Sequence, residues 1–172
     1  MPFPRTAEAL ARIADNIGRM QDALGRRVLI ENPSLYLPLT GHDLTETGFL
    51  YELTRRTGCG LLVDVNNVYV SAHNLGYSAE AYLDVLPAAA IGEIHLAGHT
   101  IDGRVGGDLL IDTHDAAVCE PVWRLYERLI ARIGPRPTLI ERDDNLPAFE
   151  DLMAERHRAH RRLARAAELA HV

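Results

Sequence analysis

The 172-residue chain has only two cysteines, Cys59 and Cys119, one tryptophan and 6% aromatic residues. Two cysteines so far apart cannot build a disulfide framework or a thiolate zinc site, and that usage fits a reducing cytoplasm. No apolar run approaches the ~20 residues that cross a bilayer, so no membrane association is expected. Met1-Pro2-Phe3-Pro4-Arg5 has none of the pattern of a signal peptide. There is no excess of positive charge either. The net charge is −6, and the one arginine-rich stretch lies in the last predicted helix, so no nucleic-acid partner is expected. Also missing are a glycine-rich phosphate loop, a G-x-S-x-G elbow and an H-E-x-x-H helix, which removes the commonest nucleotide, serine-hydrolase and zinc-protease chemistries.

What remains is a globular composition, 47% hydrophobic and 24% charged, long enough for a single domain over residues 1–172. Leu10, Ile13, Ala14, Ile17 and Met20 follow helical spacing between Thr6 as N-cap and Gly25 as stop. RVLIEN, 27–32, reads as a strand ended by Pro33. Asp43 with Glu46 three residues on has capping-box spacing for a helix reaching about Arg56, and Gly58 ends it. Gly60 to Val65 is an apolar run of the kind a parallel sheet buries on both faces, interrupted by Asp64 and followed by Asn66 and Asn67. A loop or short helix carrying His73 then leads to a helix capped by Ser78. IGEIHLA, 91–97, is a third strand. A long connection, 100–118, contains Gly103, Gly106 and Gly107 and no expected structure of its own, which favours a functional loop. Glu120-Pro121 starts a helix to about Ile133, TLIE, 138–141, is a fourth strand, and a last helix spans about 147–170. Alternating strands and helices imply an α/β fold with a parallel sheet.

Every strand delivers polar groups near its C-terminal end: Glu31 from the first, Asp64 and Asn67 from the second, His95 from the third and Glu141 from the fourth. The loop after the third adds Asp112 and His114, two apart and therefore able to point the same way on an extended segment. If the sheet curls, these ends meet on one rim. Converging carboxylates repel one another unless a cation lies between them. Carboxylates and imidazoles without thiolates suit iron, manganese or zinc. Any one acid alone has a plain structural role as a cap or ion-pair partner; four consecutive strands with the same ending favour a metal site. His99 is a ligand or a partner of one, and His73 reads as a loop residue. Glu93 either shares the face of His95 or pairs with a helix arginine. Asp143 and Asp144 read as loop caps. Trp123 and Tyr126 read as core, and Arg156, Arg158, Arg161, Arg162 and Arg165 as a solvated helix face.

The segments LIENPS, GLLVDVNNVYVSAHN, IHLAGH, DLLIDTHDAAV and TLIERDDN, in this order, closely resemble a bacterial DUF/UPF-type family of multinuclear non-haem iron enzymes, the MbnB/TglH-like proteins of methanobactin and thio-peptide maturation. The resemblance implies a parallel (β/α) TIM-barrel of xylose-isomerase-like type, of which this chain supplies about the last four strand–helix units. It implies two or three iron ions, with Glu31, Asp64, Asn67, His95, Asp112, His114 and Glu141 as ligands and Asn32, Asn66 and His99 behind them. Glu31 matches a bridging carboxylate. Asn67 stands where the methanobactin enzyme has a histidine, which leaves the count of irons open. The implied activity is oxidation of a cysteine in a ribosomally made precursor peptide by dioxygen, with a second protein presenting the peptide. Two histidines of the family's first half have no counterpart. The expectation is therefore a misassigned start, a truncated gene or a genuine half-barrel. A half-barrel leaves two open sheet edges, which pairing with a second copy or a separate half would cover. Two alternatives stay in view: a divalent-metal barrel of sugar-isomerase or phosphodiester-hydrolase type, and a half-barrel with no catalysis of its own.

Overall fold

The computed structural model describes residues 3–104 and 108–169. Gly106 and Gly107, noted above for the long connection, lie outside the described residues, as does the expected end of the last helix at Ala170.

Helix α1 (Ala7–Leu24) starts at Thr6, whose hydroxyl accepts from the Ala9 N–H, and stops at Gly25 with φ 62°. Strand β1 (Leu29–Glu31) follows. Helix α2 (Glu46–Thr57) begins two residues later than its acids suggest: Thr45 is the N-cap, accepting from Gly48 N–H, and Asp43 instead accepts from Ala7 N–H at 3.0 Å. Strand β2 (Gly60–Asp64) runs without a loop into helix α3 (Val65–Leu75). His73, Asn66 and Asn67 are thus helical, because the Asp64 carboxylate is itself the cap. Helix α4 (Ala79–Val85) is capped by Ser78. After strand β3 (Ile91–Leu96), the connection expected to be structureless holds an antiparallel pair, β4 (Thr100–Asp102) with β5 (Leu109–Ile111). Helix α5 (Glu120–Ile133), strand β6 (Thr138–Ile140) and helix α6 (Phe149–Leu169) complete the order.

The main sheet is parallel throughout, in the order β1-β2-β3-β6. Its two faces differ. Leu61, Val63, Ile94 and Leu96 lie on the covered face, packed against Leu83, Val122, Trp123, Tyr126 and Leu129 of the helices. A smaller cluster joins Leu10 and Ile17 of α1 to Phe49 and Leu53 of α2. The opposite face carries Glu31 opposite Leu62, Leu62 opposite Glu93, and Asp64 opposite His95, with Leu139 47% exposed beside His95. The run in β2 is buried almost throughout, as expected, whereas over the sheet as a whole helices cover one face and the other is polar toward its C-terminal edge.

The arginine row of α6 also departs from expectation. Arg158 and Arg162, one helical turn apart, place their guanidinium carbons 4.6 and 4.9 Å from the centre of the Trp123 ring and pair with Glu120 and Glu127, both at 2.6 Å. They seal the core rather than face solvent alone. Arg156, Arg161 and Arg165 are exposed as expected. Cys59 and Cys119 are free. Among the described residues, no helix is long and apolar enough to cross a membrane.

Candidate metal centre

Asp64 is the hinge of the site. It is the last residue of β2 and fully buried. Its Oδ1 accepts from Asn67 N–H at 2.6 Å and starts α3, while its Oδ2 is buried with no hydrogen-bond partner. Asn32, just past β1, clamps the Asp64 backbone from both sides: its Nδ2 donates to Asp64 O at 3.0 Å, and its Oδ1 accepts from Asp64 N–H at 2.9 Å. Asn67 Nδ2 donates to Asn32 O at 3.0 Å, so only its buried Oδ1 remains free. The amides of Asn32 and Asn67 thus lock the ends of β1 and β2 together.

Around that lock the strand ends converge. One ligand atom each from Glu31, Asp64 and His95 lie within 4.8 Å of one another, and so do atoms from Asp64, His114 and Glu141. Asp64 belongs to both groups. His95 Nδ1 lies 2.9 Å from Glu141 Oε2, and its Nε2 lies 3.5 Å from Glu93 Oε1, the face-sharing partner rather than a helix arginine. His114 Nε2 is 3.9 Å from Asp64 Oδ2 and 2.8 Å from Asp112 Oδ1, the shortest of the ring's contacts with a carboxylate. His114 Nδ1 faces Glu141 at 3.5 Å and Asp143 at 3.8 Å. Asp143, a loop cap on sequence grounds, thus also approaches the cluster.

His114 is buried with φ 50°, a left-handed conformation costly for a residue with a Cβ. Two backbone bonds hold it there, His114 N–H to Gly98 O at 3.1 Å and Asp143 N–H to His114 O at 2.9 Å. Asp112 stands outside both ligand groups among the described residues; its Oδ1 accepts from Asn66 Nδ2 at 2.7 Å. His99 lies behind Asn66, with Nδ1 2.8 Å from Asn66 Oδ1. His73 stays apart, its Nε2 2.7 Å from Asp108 O.

The electrostatics follow from burial. Desolvation raises Asp64 from 3.8 to about 7, against the pull of the Asn67 N–H and His114. Desolvation also raises Glu31, with His95 opposing and Glu141 adding to the rise. The contact with Asp112 raises His114 from 6.5 to about 9 against its own burial. Burial lowers His99. The residues fit a divalent metal on this chemistry. Asp64 Oδ2 is buried with no hydrogen-bond partner and lies among imidazoles and further carboxylates, a donor set that a divalent cation satisfies.

A cavity of about 670 Å³ opens onto the cluster. Glu31, Asn67, Asp112, His114 and Glu141 line one side, and Leu35, Tyr36, Leu37 and Leu39 of the β1–α2 loop line the other. The residue types of that loop do not by themselves mark it as part of a site. Its position directly after a strand's C-terminal end was the available signal.

Fold and site together define an α/β protein with a carboxylate–histidine cluster of metal-binding type at the C-terminal edge of a parallel sheet. The chain belongs to the family described as RiPP precursor modification enzyme MbnB/TglH/ChrH, whose model matches residues 1–164. It is 74% identical over 160 residues to a UPF0276 protein of Caulobacter sp. (strain K31), covering 93% of this chain and 58% of that protein. It is 72% identical over 159 residues to a UPF0276 protein of Caulobacter vibrioides, covering 92% of this chain and 56% of the relative. A UPF0276 protein of Bordetella pertussis is 50% identical over 171 residues, covering 99% of this chain and 59% of its own. The chain thus spans little more than half the length of these curated relatives.

Proposed function

We propose that the chain carries the greater part of a multinuclear non-haem iron centre, in an enzyme that oxidises a cysteine of a ribosomally made precursor peptide. The observation that carries this is the pair of three-residue ligand groups sharing Asp64. In this reading Asp64 is the shared carboxylate, Glu31 and His95 complete one position, and His114 and Glu141 the other. Asp112 and the free Oδ1 of Asn67 supply further oxygen donors. The sheet is the portion of a xylose-isomerase-like TIM-barrel on which these ligands stand, and its half-open polar face is the barrel interior. Family membership supports a precursor peptide as substrate, and a peptide-presenting partner protein goes with that role. Free cysteines and the absence of a thiolate cage suit work in the cytoplasm.

Bound iron would supply redox coupling to dioxygen and a seat for a substrate thiolate. The chain's own residues supply the rest. Buried Asp64 and His114 bring their side chains within reach of Glu31, His95 and Glu141. The Asn32–Asn67 clamp fixes Asp64 between the ends of β1 and β2, while Gly98 O and Asp143 N–H hold His114. The apolar wall of Leu35, Leu37 and Leu39 offers the peptide a water-poor approach to the cluster.

The test is anaerobic loading with ferrous iron followed by metal analysis. The expected result is more than one bound iron, reduced in Asp64→Asn, His95→Ala and Glu141→Gln. A folded chain that takes up no iron would overturn the proposal.

A further inference from the structure

We infer that Asn66 and His99 are positioning residues that fix the Asp112 carboxylate and, through it, the ring of His114. The inference rests on the metal reading above and adds how one ligand edge is held.

Asn66 sits on the first turn of α3 and is fully buried. Every polar atom of its amide is spent. Nδ2 donates to Gly98 O at 3.3 Å and to Asp112 Oδ1 at 2.7 Å, and Oδ1 faces His99 Nδ1 at 2.8 Å. The amide has one possible orientation, because a flip would set Oδ1 against the Gly98 carbonyl and the Asp112 carboxylate. With Oδ1 turned toward His99, the imidazole must donate from Nδ1. One buried amide thus dictates a tautomer on one side and the placement of a carboxylate on the other. The His99 ring is held by Tyr69, centroids 5.2 Å apart.

Asp112 is gripped from the other end as well, since its N–H donates to the Tyr36 hydroxyl at 3.2 Å. Hydrogen bonding to its side chain falls on Oδ1, the oxygen beside His114 Nε2, which leaves Oδ2 to other partners. Gly98 O ties the two ends together, because it accepts from both Asn66 Nδ2 and His114 N–H. The chain His99–Asn66–Asp112–His114 therefore runs from the half-buried rim to the cluster. Partners of this kind orient a metal's ligands without touching the metal.

The experiment uses the full chain. Titration with Co²⁺ and anaerobic Fe²⁺ should show affinity falling 10- to 100-fold in Asn66→Ala and His99→Ala. His99→Gln, whose amide can donate to Asn66 Oδ1, should restore most of it. Asn66→Ala should add little in an Asp112→Ala background, since both changes break the same link. A metal-free readout runs beside these: ¹H–¹⁵N spectra of the imidazoles should show His99 protonated at Nδ1, and His99→Ala should shift the His114 ring signals although the two rings do not touch. If Asn66→Ala fails to fold, judged by circular dichroism, His99→Ala and His99→Gln decide alone. An Nε2-protonated His99, unmoved His114 signals, or additive losses with Asp112→Ala would each overturn the inference. A wild-type chain that binds neither metal while His114 still responds to His99→Ala would overturn the metal reading and leave the positioning intact.

Discussion

Asp64→Asn should stabilise the metal-free protein while destroying the site. Asp64 is fully buried, and its pKa rises from 3.8 to about 7, chiefly by desolvation. Between those values the folded state binds a proton that the unfolded state has released. Stability from this group is therefore fully present below pH ~4 and is lost as the pH rises through about 7. A rise of about 3 units corresponds to roughly 4 kcal/mol. Asparagine is never charged, yet its Oδ1 can still accept from Asn67 N–H, the bond now measured at 2.6 Å. That bond weakens once its acceptor is neutral, by about 1 kcal/mol. The net gain near pH 8 should be about 2–3 kcal/mol, and it should vanish near pH 4. In thermal unfolding this is roughly 5–10 °C for a chain of this size. His114 acts with the same sign at higher pH: raised to about 9, it contributes stability below ~6.5 that is lost as the pH rises through about 9. The assay is urea or thermal unfolding of metal-free wild type and variant from pH 4 to pH 9. Parallel pH profiles, or a variant less stable at pH 8, would refute the claim that desolvation of Asp64 outweighs the pull of Asn67 N–H and His114. Added ferrous iron should reverse the order, stabilising wild type and leaving the variant unmoved.

Three further outcomes follow from the packing. Gly98→Ala should lower both stability, by about 1–3 kcal/mol, and metal affinity: a Cβ there would run into the Ala116 and Ala117 backbone, and the Gly98 carbonyl anchors His114. Equilibrium unfolding and Co²⁺ titration read the two effects. Trp123→Ala should cost about 3–5 kcal/mol in urea unfolding, since the ring is 1% exposed and supports Arg158 and Arg162. Thr45→Ala should cost about 1 kcal/mol by removing the α2 cap, with no change in metal uptake.

The parts of the fold legible in the sequence are those written by local chemistry. Thr6, Gly25, Gly58 and Ser78 mark helix ends because caps need particular side chains or a left-handed backbone, and each acts where it stands. The start of α3 was hidden because its cap is Asp64, a residue whose interruption of an apolar strand drew a metal reading. The β4–β5 pair was hidden because three-residue strands carry too little alternation to register. The stacking of Arg158 and Arg162 on Trp123 joins residues far apart in sequence, yet their spacing of four did place them on one face.

The site divides along the same line. That Glu31, Asp64, His95 and Glu141 share an edge follows from strand order alone. Which of them falls in both three-residue groups does not, because that depends on how neighbouring groups aim each side chain. The resemblance implies a bridging role for Glu31, and the geometry adds Asp64, which belongs to both three-residue groups. The reason is mechanical. A carboxylate has two oxygens, and Asp64 commits Oδ1 to the first turn of α3, so that turn's N–H aims Oδ2 at the cluster. The same hydrogen bond that lets β2 pass into α3 without a loop thus sets the direction of the free oxygen. A change that moved the helix start by one residue would redirect Oδ2 and separate the two groups. Helix initiation and ligand geometry are one constraint here, which is why a strand carrying a buried acid runs straight into a helix at the centre of the sheet.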